Sequence, residues 1–461
     1  MKLTDLCRLV FYFVRTRWLL RFSSRAELQG WQQKKIAAFL KQQLPLTPFY
    51  QQYADLTLQE LPVIDKAVAL EYFQQMNVAN ITLEQASAIA LQSENSRNFS
   101  AELDGITVGL SSGTQGPRGV FLTSGKERAK WAGIMMARTL PADLLRSLIF
   151  RATPVKIAFF LRANSNLYTT LNSKRIHFKF YDLYKGVDVY LPELQAQSPT
   201  ILVAPAHILS RLAELKLQGH LTISPQRVIS VAEVLEPDDK SRIEAAFGLP
   251  VHQLYQCTEG FLAYTCELGV LHLNEEFVHI EPEWLDQEKT RFIPIITDFT
   301  RLTQKIIRYR LNDVLRVRDT PCPCGRASLA LSAIEGRCDD ILWWQQRDGH
   351  ELEAVYPDML RHAITMASIS LPDYRIEQHG SELRIAIESG HVEMMNEMMD
   401  EMTTAITGLA ERLGLLAPNF KSMTYVAGEL SSKRRRIRCI SRTDIRHIRH
   451  ITEESIEVVH A

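Results

Sequence analysis

Neither sign of charge is in excess in this chain of 461 residues, where 53 Lys plus Arg stand against 53 Asp plus Glu. Domains whose main task is to neutralise a phosphate backbone carry a strong basic surplus, so nucleic acid is not an expected partner. Long apolar runs are also missing. The apolar opening stretch, residues 9–22, is interrupted by Arg15, Arg17 and Arg21, and no small-residue cleavage site follows it. It therefore reads as neither a spanning helix nor a signal peptide. Cysteine is scarce and odd in number: Cys7, Cys257, Cys266, Cys322, Cys324, Cys338 and Cys439. They cluster toward the centre instead of spreading as a disulfide framework, which points to a reducing, cytoplasmic compartment. No fixed-period repeat is visible.

What is present is the composition of a folded protein, 46% hydrophobic and 23% charged. The length exceeds what one core usually supports, so two domains with a cleft and a hinge are expected. Residues 1–100 read as mainly helical, for example 32–44, closed by Pro45 and Pro48. The first helix reads chiefly as one docked on its own protein. The second reading is weak membrane association, with Phe11, Trp18 and Leu19 in the bilayer interface and arginines on anionic headgroups. Strand-like runs at 156–161, 201–204, 227–231 and 251–255 alternate with helix patterns such as 238–247, the signature of an α/β domain with a parallel or mixed sheet and crossover helices. Closely spaced strand candidates follow at 291–296 and 305–310. Beyond Asp339 come strands at 341–344 and 383–388 and a methionine-rich helix at 392–413, a small α+β module. The methionine stripe reads as packing material.

The most informative segment runs through Ser111, Ser112, Gly113, Thr114, Gln115, Gly116, Pro117 and Arg118. Small residues let the backbone approach an anion, and successive amides with three hydroxyls can bind phosphate oxygens, with an arginine close at hand. The Gly-Lys-Ser/Thr ending of a Walker loop is absent. Taken alone, the segment is equally well a surface turn rich in Gly and Ser.

These residues resemble the phosphate loop of acyl-adenylate-forming enzymes, in particular the phenylacetate-CoA ligase branch, which includes relatives of the deazaflavin-nucleotide synthetases and capsule-biosynthesis adenylating proteins. The likeness continues in order along the chain. Ala232-Glu233 matches the Gly-Ala-Glu turn beside the adenine. Tyr255, Gln256, Cys257, Thr258, Glu259 and Gly260 are similar to the Tyr-Gly-x-Thr/Ser-Glu motif, in which the ring stacks on the purine, Thr258 reaches a phosphate and Glu259 holds magnesium. Gln256 departs from the family's glycine and adds a side chain where the acyl substrate passes. Tyr309 to Asp313 resembles Tyr-Arg-Thr-x-Asp, whose aspartate accepts from both ribose hydroxyls. Gly336, Arg337, Cys338, Asp339 and Asp340 resemble the hinge motif, with Asp339 the pivot and Arg337 facing triphosphate or ribose. Gly428 to Lys433 resembles the terminal segment whose lysine, here Lys433, binds the carboxylate and the α-phosphate during adenylation. Ser432 replaces the usual glycine there, and Arg434 or Arg435 could supply the charge if the register slips. The implied domains are 1–338, large and binding nucleotide and acid, and 339–461, small and mobile.

A metal site is the second candidate. Cys322-Pro323-Cys324-Gly325 is a cysteine knuckle, and upstream Cys266, Gly269 and His272 supply a third sulfur and an imidazole. Spacing alone leaves a metal site and unrelated buried cysteines both standing. The branch has a similar Cys, His, Cys-x-Cys set. This implies a structural zinc on Cys266, His272, Cys322 and Cys324, with Glu267 and His279 as replacements; a full shell has no open position for catalysis.

The resemblance implies an ATP- and Mg²⁺-dependent ligase that joins a small-molecule carboxylic acid to AMP and then transfers the acyl group to a thiol, with CoA the expected co-substrate. After the hinge, Trp343 and Trp344 stand where the family has a glycine-bearing loop for CoA. An acyl-carrier phosphopantetheine, an amine or a hydroxyl is therefore an alternative acceptor, and nucleotidyl transfer without thioesterification fits everything upstream. The competing class is a catalytically silent nucleotide-binding scaffold, against which Thr258, Glu259, Asp313 and Lys433 together speak. A homodimer is the general expectation for a soluble enzyme.

Overall fold

A computed structural model describes residues 3–99, 101–111, 118–151, 154–163, 168, 172–349, 351–367, 373–388, 392–426 and 434–441. The first part is helical: α1 (Leu3–Val14), α2 (Arg25–Gln43), α3 (Lys66–Glu71), α4 (Leu83–Ser96) and, after a short sheet, α5 (Gly125–Thr139). Their starts follow from local chemistry. Asp65 Oδ1 accepts from the Val68 amide at 2.9 Å to open α3, and Thr82 and Gln85 form a capping box on α4. Ser124 and Glu127 do the same for α5, and the Glu127 carboxylate also accepts from the amides of Leu302 (2.6 Å) and Thr303 (3.0 Å). One buried acid thus caps a helix and pins a distant strand connection.

Helix α1 lies on α5. A Cβ placed on Gly133 would come within 2.4 Å of the Leu9 carbonyl oxygen, so the two backbones approach in a way only glycine permits. We predict that Gly133→Ala pushes α1 off and costs about 1–3 kcal/mol, seen as a lower urea midpoint together with faster proteolysis within α1. An unchanged midpoint and an unchanged cleavage pattern would contradict this packing.

The strands before the main sheet, β1 (Glu102–Leu103), β2 (Ile106–Leu110) and β3 (Val120–Ser124), form an antiparallel unit. The main sheet contains β4 (Val155–Leu161), β5 (Ile176–Asp182), β6 (Ile201–Ala204), β7 (Arg227–Val231), β8 (Val251–Gln256), β9 (Phe261–Thr265), β10 (Leu271–Leu273), β11 (Val278–Trp284), β12 (Arg291–Asp298), β13 (Tyr309–Arg310), β14 (Asp313–Val317) and β15 (Ala330–Arg337). Its order is β11-β12-β14-β15-β10-β9-β8-β7-β6-β4-β5, with β13 on β12. The half from β5 to β8 is parallel, as the alternation of strand and helix patterns predicts, and the sheet turns antiparallel at β9. Residues 305–310, expected as one strand, pair only at Tyr309 and Arg310. The segment instead weaves along the helical part: the Lys305 amide donates to the Met76 carbonyl and the Arg310 amide to that of Ile64, and Arg308 takes a left-handed φ of 45°.

The described residues up to Ile334 form one compact unit and those from Glu335 another. In the second, β16 (Leu342–Gln345) and β17 (Leu352–Val355) make a hairpin, and β18 (Tyr374–His379), β19 (Glu382–Ile387), β20 (Asn419–Ser422) and β21 (Ile437–Ser441) form a four-stranded sheet in the order β20-β19-β18-β21. The helix Val392–Arg412 sends Met402 into this core, with Met395, Met398 and Met399 packed against it, so the methionines are packing material.

Asp373 is the electrostatic centre of that unit. Burial alone would raise its pKa. The Arg434 and Arg436 guanidinium groups and the Tyr425 hydroxyl, which donates to it at 2.6 Å, overcome burial and hold the carboxyl down to about 2. A carboxylate depressed from 3.8 contributes stability above pH 3.8 that is lost as pH falls through about 2. We predict that Asp373→Asn removes about 2 kcal/mol at pH 7 and flattens the stability profile between those two values, measured by urea unfolding across that range. A profile as steep as that of the parent would contradict it.

Candidate active site

The serine-rich loop is closed by a hairpin. Strands β2 and β3 pair through Leu110 and Val120, and just beyond them the Ser111 amide donates to the Gly119 carbonyl while the Gly119 amide donates to Ser111 Oγ, both at 2.7 Å. Ser112, Gly113, Thr114 and Gly116 lie outside the described residues. Arg118, the base at the end of the loop, makes a bidentate pair with Glu94 at 2.6 Å for both contacts and donates to the Ser111 carbonyl at 2.8 Å. Its charge ties the loop to the last turn of α4. The sequence offers no sign of this, because Glu94 is 24 residues upstream on a separate helix.

Residues 257–260 form the turn between β8 and β9, where Gln256 is paired with Phe261 and the Cys257 amide donates to the Gly260 carbonyl at 3.1 Å. The packing is tight at Gly260, where a Cβ would sit 3.2 Å from the buried Asp298 carboxylate. At the tip, Thr258 Oγ1 donates to Glu259 Oε2 at 2.7 Å. Glu259 also faces the Tyr309 hydroxyl, whose pKa burial and then this carboxylate push far up. Tyr255 is buried, and its hydroxyl donates to Asp313 Oδ2 at 2.5 Å. Burial, followed by Asp313, drives the Tyr255 pKa well upward, so the phenol keeps its proton and fixes the carboxylate. Two motifs 58 residues apart are thereby brought together. Gln256 accepts from the Trp131 indole of α5 at 3.2 Å, which holds its side chain against that helix.

A small cavity joins the end of the loop to the turn. It is lined by Gly119 from the loop, Thr258 and Glu259 from the turn, Tyr309, and two lysines that sequence reasoning missed, Lys66 and Lys305. Lys66 is the first residue of α3, and its Cε lies 3.8 Å from where a Gly119 Cβ would be. Nothing local marks it, since its place depends on the packing of α3 against the hairpin. Lys305 is buried and donates to Gln43 Oε1 at 2.8 Å; burial pulls its ammonium down to about 8 against the opposing effect of Glu127.

Ala232 follows β7 with a left-handed φ of 67°, a strained position for a residue with a Cβ. The turn aims Glu233 at His207, whose Nδ1 is 2.7 Å from Glu233 Oε2. Arg337 ends β15, and Asp339 lies in the single helical turn Cys338–Asp340. The neighbouring Asp340 carries the strong contact, an ion pair with Arg435. Lys433 lies outside the described residues. Arg434 and Arg436 pair with Asp373 and Arg435 pairs with Asp340, so all three arginines of the run serve the small unit's own carboxylates. Trp344 is a core residue of β16, with Trp343 packed beside it.

Cys266, His272, Cys322 and Cys324 converge. Their ligand atoms all lie within 4.8 Å of one another. Cys266 follows β9 and His272 sits in β10, while Gly269 and Gly325 supply the left-handed turns (φ 78° and 72°) that fold each cysteine segment back. The Cys266 and Cys322 sulfurs are 3.8 Å apart, and Cys324 Sγ is 3.3 Å from His272 Nε2. His272 Nδ1 faces the Ser328 carbonyl at 3.2 Å, the contact that fixes a tautomer with Nε2 free to ligate. Three sulfurs and one nitrogen within a metal's span, with an oriented imidazole, fit a tetrahedral zinc shell. Glu267 turns away to Arg227 at 2.8 Å.

No protein-family model matches the chain, and no curated protein matches it in sequence. Among solved structures, 2-hydroxyisobutyryl-CoA ligase in the postadenylation state with 2-HIB-AMP is 17% identical over 90% of this chain and 89% of its own, with a TM-score of 0.62. The chain has the fold of the adenylate-forming ligases. The same ligase in an open conformation with 2-HIB-AMP and CoA gives 0.52 at 16% identity, covering 90% of this chain and 91% of its own. The acyl acid amido synthetase GH3.15 with 2,4-DB gives 0.54 at 12% identity, covering 86% and 87%. The adenylate-forming fold accounts for the mixed sheet and the small α+β unit. Among the described residues, no helix is long and apolar enough to cross a membrane.

Proposed function

We propose that this chain activates a carboxylic acid with ATP and passes the acyl group to a thiol, in the manner of the phenylacetate-CoA ligase branch. The observation that carries the reading is the cavity that joins the end of the serine-rich loop to Thr258, Glu259 and Tyr309. In the first step a carboxylate oxygen attacks the α-phosphorus, the bond to the β-phosphate oxygen breaks, and pyrophosphate leaves. In the second, a thiol sulfur bonds to the acyl carbon, AMP leaves with the acyl–oxygen electron pair, and the thiol proton goes to solvent.

The chain's residues act by position and charge. Loop amides and hydroxyls from Ser111 to Gly116 cradle the phosphates, and Thr258 reaches one of their oxygens. Glu259 would hold magnesium, which supplies neutralisation of the triphosphate charge. Asp313, steadied by Tyr255, accepts from the ribose hydroxyls, the turn at Ala232 and Glu233 borders the adenine, and Arg337 serves triphosphate or ribose. Lys433 provides the cation of the adenylation step, and Asp339 is the pivot. The arginines beside Lys433 are committed to Asp373 and Asp340, which favours the lysine for that role. Zinc on the Cys₃His set is structural.

CoA is the favoured acceptor because a ligase of this fold is seen with 2-HIB-AMP and CoA together. An amine is the alternative, favoured by the likeness to an acyl acid amido synthetase. The test is ATP–pyrophosphate exchange over aromatic, fatty and cofactor acids, with CoA or an amine then added to the acids that exchange. Acid-dependent exchange followed by CoA-dependent AMP release is expected. Nucleotide binding without exchange for any acid would instead identify a silent scaffold.

A further inference from the structure

We infer that the outward face of α1 docks on an anionic lipid surface. Helix α1 is apolar on two sides, and the fold buries one. Leu9 and Thr16 are buried, Tyr12 and Phe13 are half-buried, and Arg17 Nη1 donates to the carbonyls of Ala137 (3.0 Å) and Leu140 (2.9 Å), so the inner side is fixed on α5. On the opposite side Leu3, Leu6, Val10 and Val14 of α1, and Trp18 in the wider helical turn Arg15–Leu19 that continues it, recur at helical spacing and are all exposed, flanked by Phe11 at 57% and Leu19 at 68%. A second segment adds to the apolar surface. Phe13 meets the Trp18 ring edge-on at 5.6 Å and packs into the cluster that contains Leu144 and Leu148; Ile149 and Phe150, which follow directly, are 53% and 81% exposed. Scattered exposed apolar side chains are ordinary, whereas a row along one helix marks a contact surface.

Charge identifies the occupant. Residues 1–25 hold six Lys and Arg and one Asp, in a chain whose total charge is zero. Two copies meeting through this face would bring two basic segments together, which disfavours self-association. A lipid surface with negative headgroups suits this basic end of the chain, where Arg21 is exposed while Arg8, Arg17 and Arg25 hold protein partners, and accepts the aromatic and aliphatic row into its acyl boundary. No described helix is long and apolar enough to cross a bilayer, so the geometry is that of a helix lying in the interface. The inference is independent of the adenylation reading.

The test is flotation of the full chain with vesicles of phosphatidylcholine alone and of phosphatidylcholine with one third phosphatidylglycerol. Binding to the anionic vesicles only is expected, weakened about tenfold by half-molar salt. The double substitution Phe11→Ser with Trp18→Ser, and separately Phe150→Ser, reduce binding at least about tenfold. Because these side chains are exposed, an unchanged melting temperature verifies that the fold is kept. Three results would each overturn the inference: no flotation, flotation indifferent to lipid charge or to the substitutions, or a vesicle-free dimer that the double substitution converts to monomer.

Discussion

Replacing Glu259 with Gln lowers magnesium-dependent ATP–pyrophosphate exchange by about 10²–10³-fold while leaving the thermal midpoint within a degree or so. The magnitude follows from where the carboxylate sits. Glu259 is at the tip of the β8–β9 turn, accepts from Thr258 Oγ1 at 2.7 Å, faces the Tyr309 hydroxyl and lines the same cavity as Gly119. The amide keeps the shape and both hydrogen-bonding neighbours but loses the charge that would hold a divalent cation against the triphosphate. Raising magnesium restores part of the exchange in the variant, a response that a purely structural defect would not show. A variant that exchanges at the parental rate would remove Glu259 from the reaction. As a comparison, Glu267→Gln changes the ion pair between exposed Glu267 and the buried Arg227 and is expected to leave exchange intact.

The purified chain is expected to carry one zinc, and Cys322→Ser to lose it with a drop in melting temperature of about 5–10 °C. The four donors come from the end of β9, from β10 and from the connection between β14 and β15, so a bound ion closes the centre of the main sheet where it becomes antiparallel. The site's affinity for zinc falls as pH falls, because protons compete for the thiolates. Exchange activity is lost only as the chain unfolds, as expected for a closed shell. Metal-free protein that melts at the parental temperature, with Cys322→Ser silent, would contradict the assignment.

Much of the parallel half of the sheet was legible because its strands are short apolar runs set between strong helix patterns. Residues 201–204 and 227–231 coincide with β6 and β7, and 238–247 with the helix Pro237–Phe247. The strand expected at 305–310 was not, since Lys305 and its neighbours spend their backbone groups on the helical segment some 230 residues upstream. Tertiary pairing of that kind leaves no periodicity in the local sequence. The same contrast holds at the site. Thr258, Glu259 and the cysteine knuckles announce themselves through residue type and spacing, and the fold brings Thr258 and Glu259 to one cavity and the four metal-site donors to one point. Lys66 and the Glu94–Arg118 pair carry no signal beyond a single charged letter, and packing alone decides what they face.

Which bond of ATP is cut tests the account most directly. Phosphorus NMR of the chain turning over ATP with an exchanging acid resolves the products. The adenylation reading predicts AMP and pyrophosphate in equal amounts, dependent on the acid and lost in Lys433→Ala. ADP with inorganic phosphate, or AMP formed at the same rate without an acid, would contradict it.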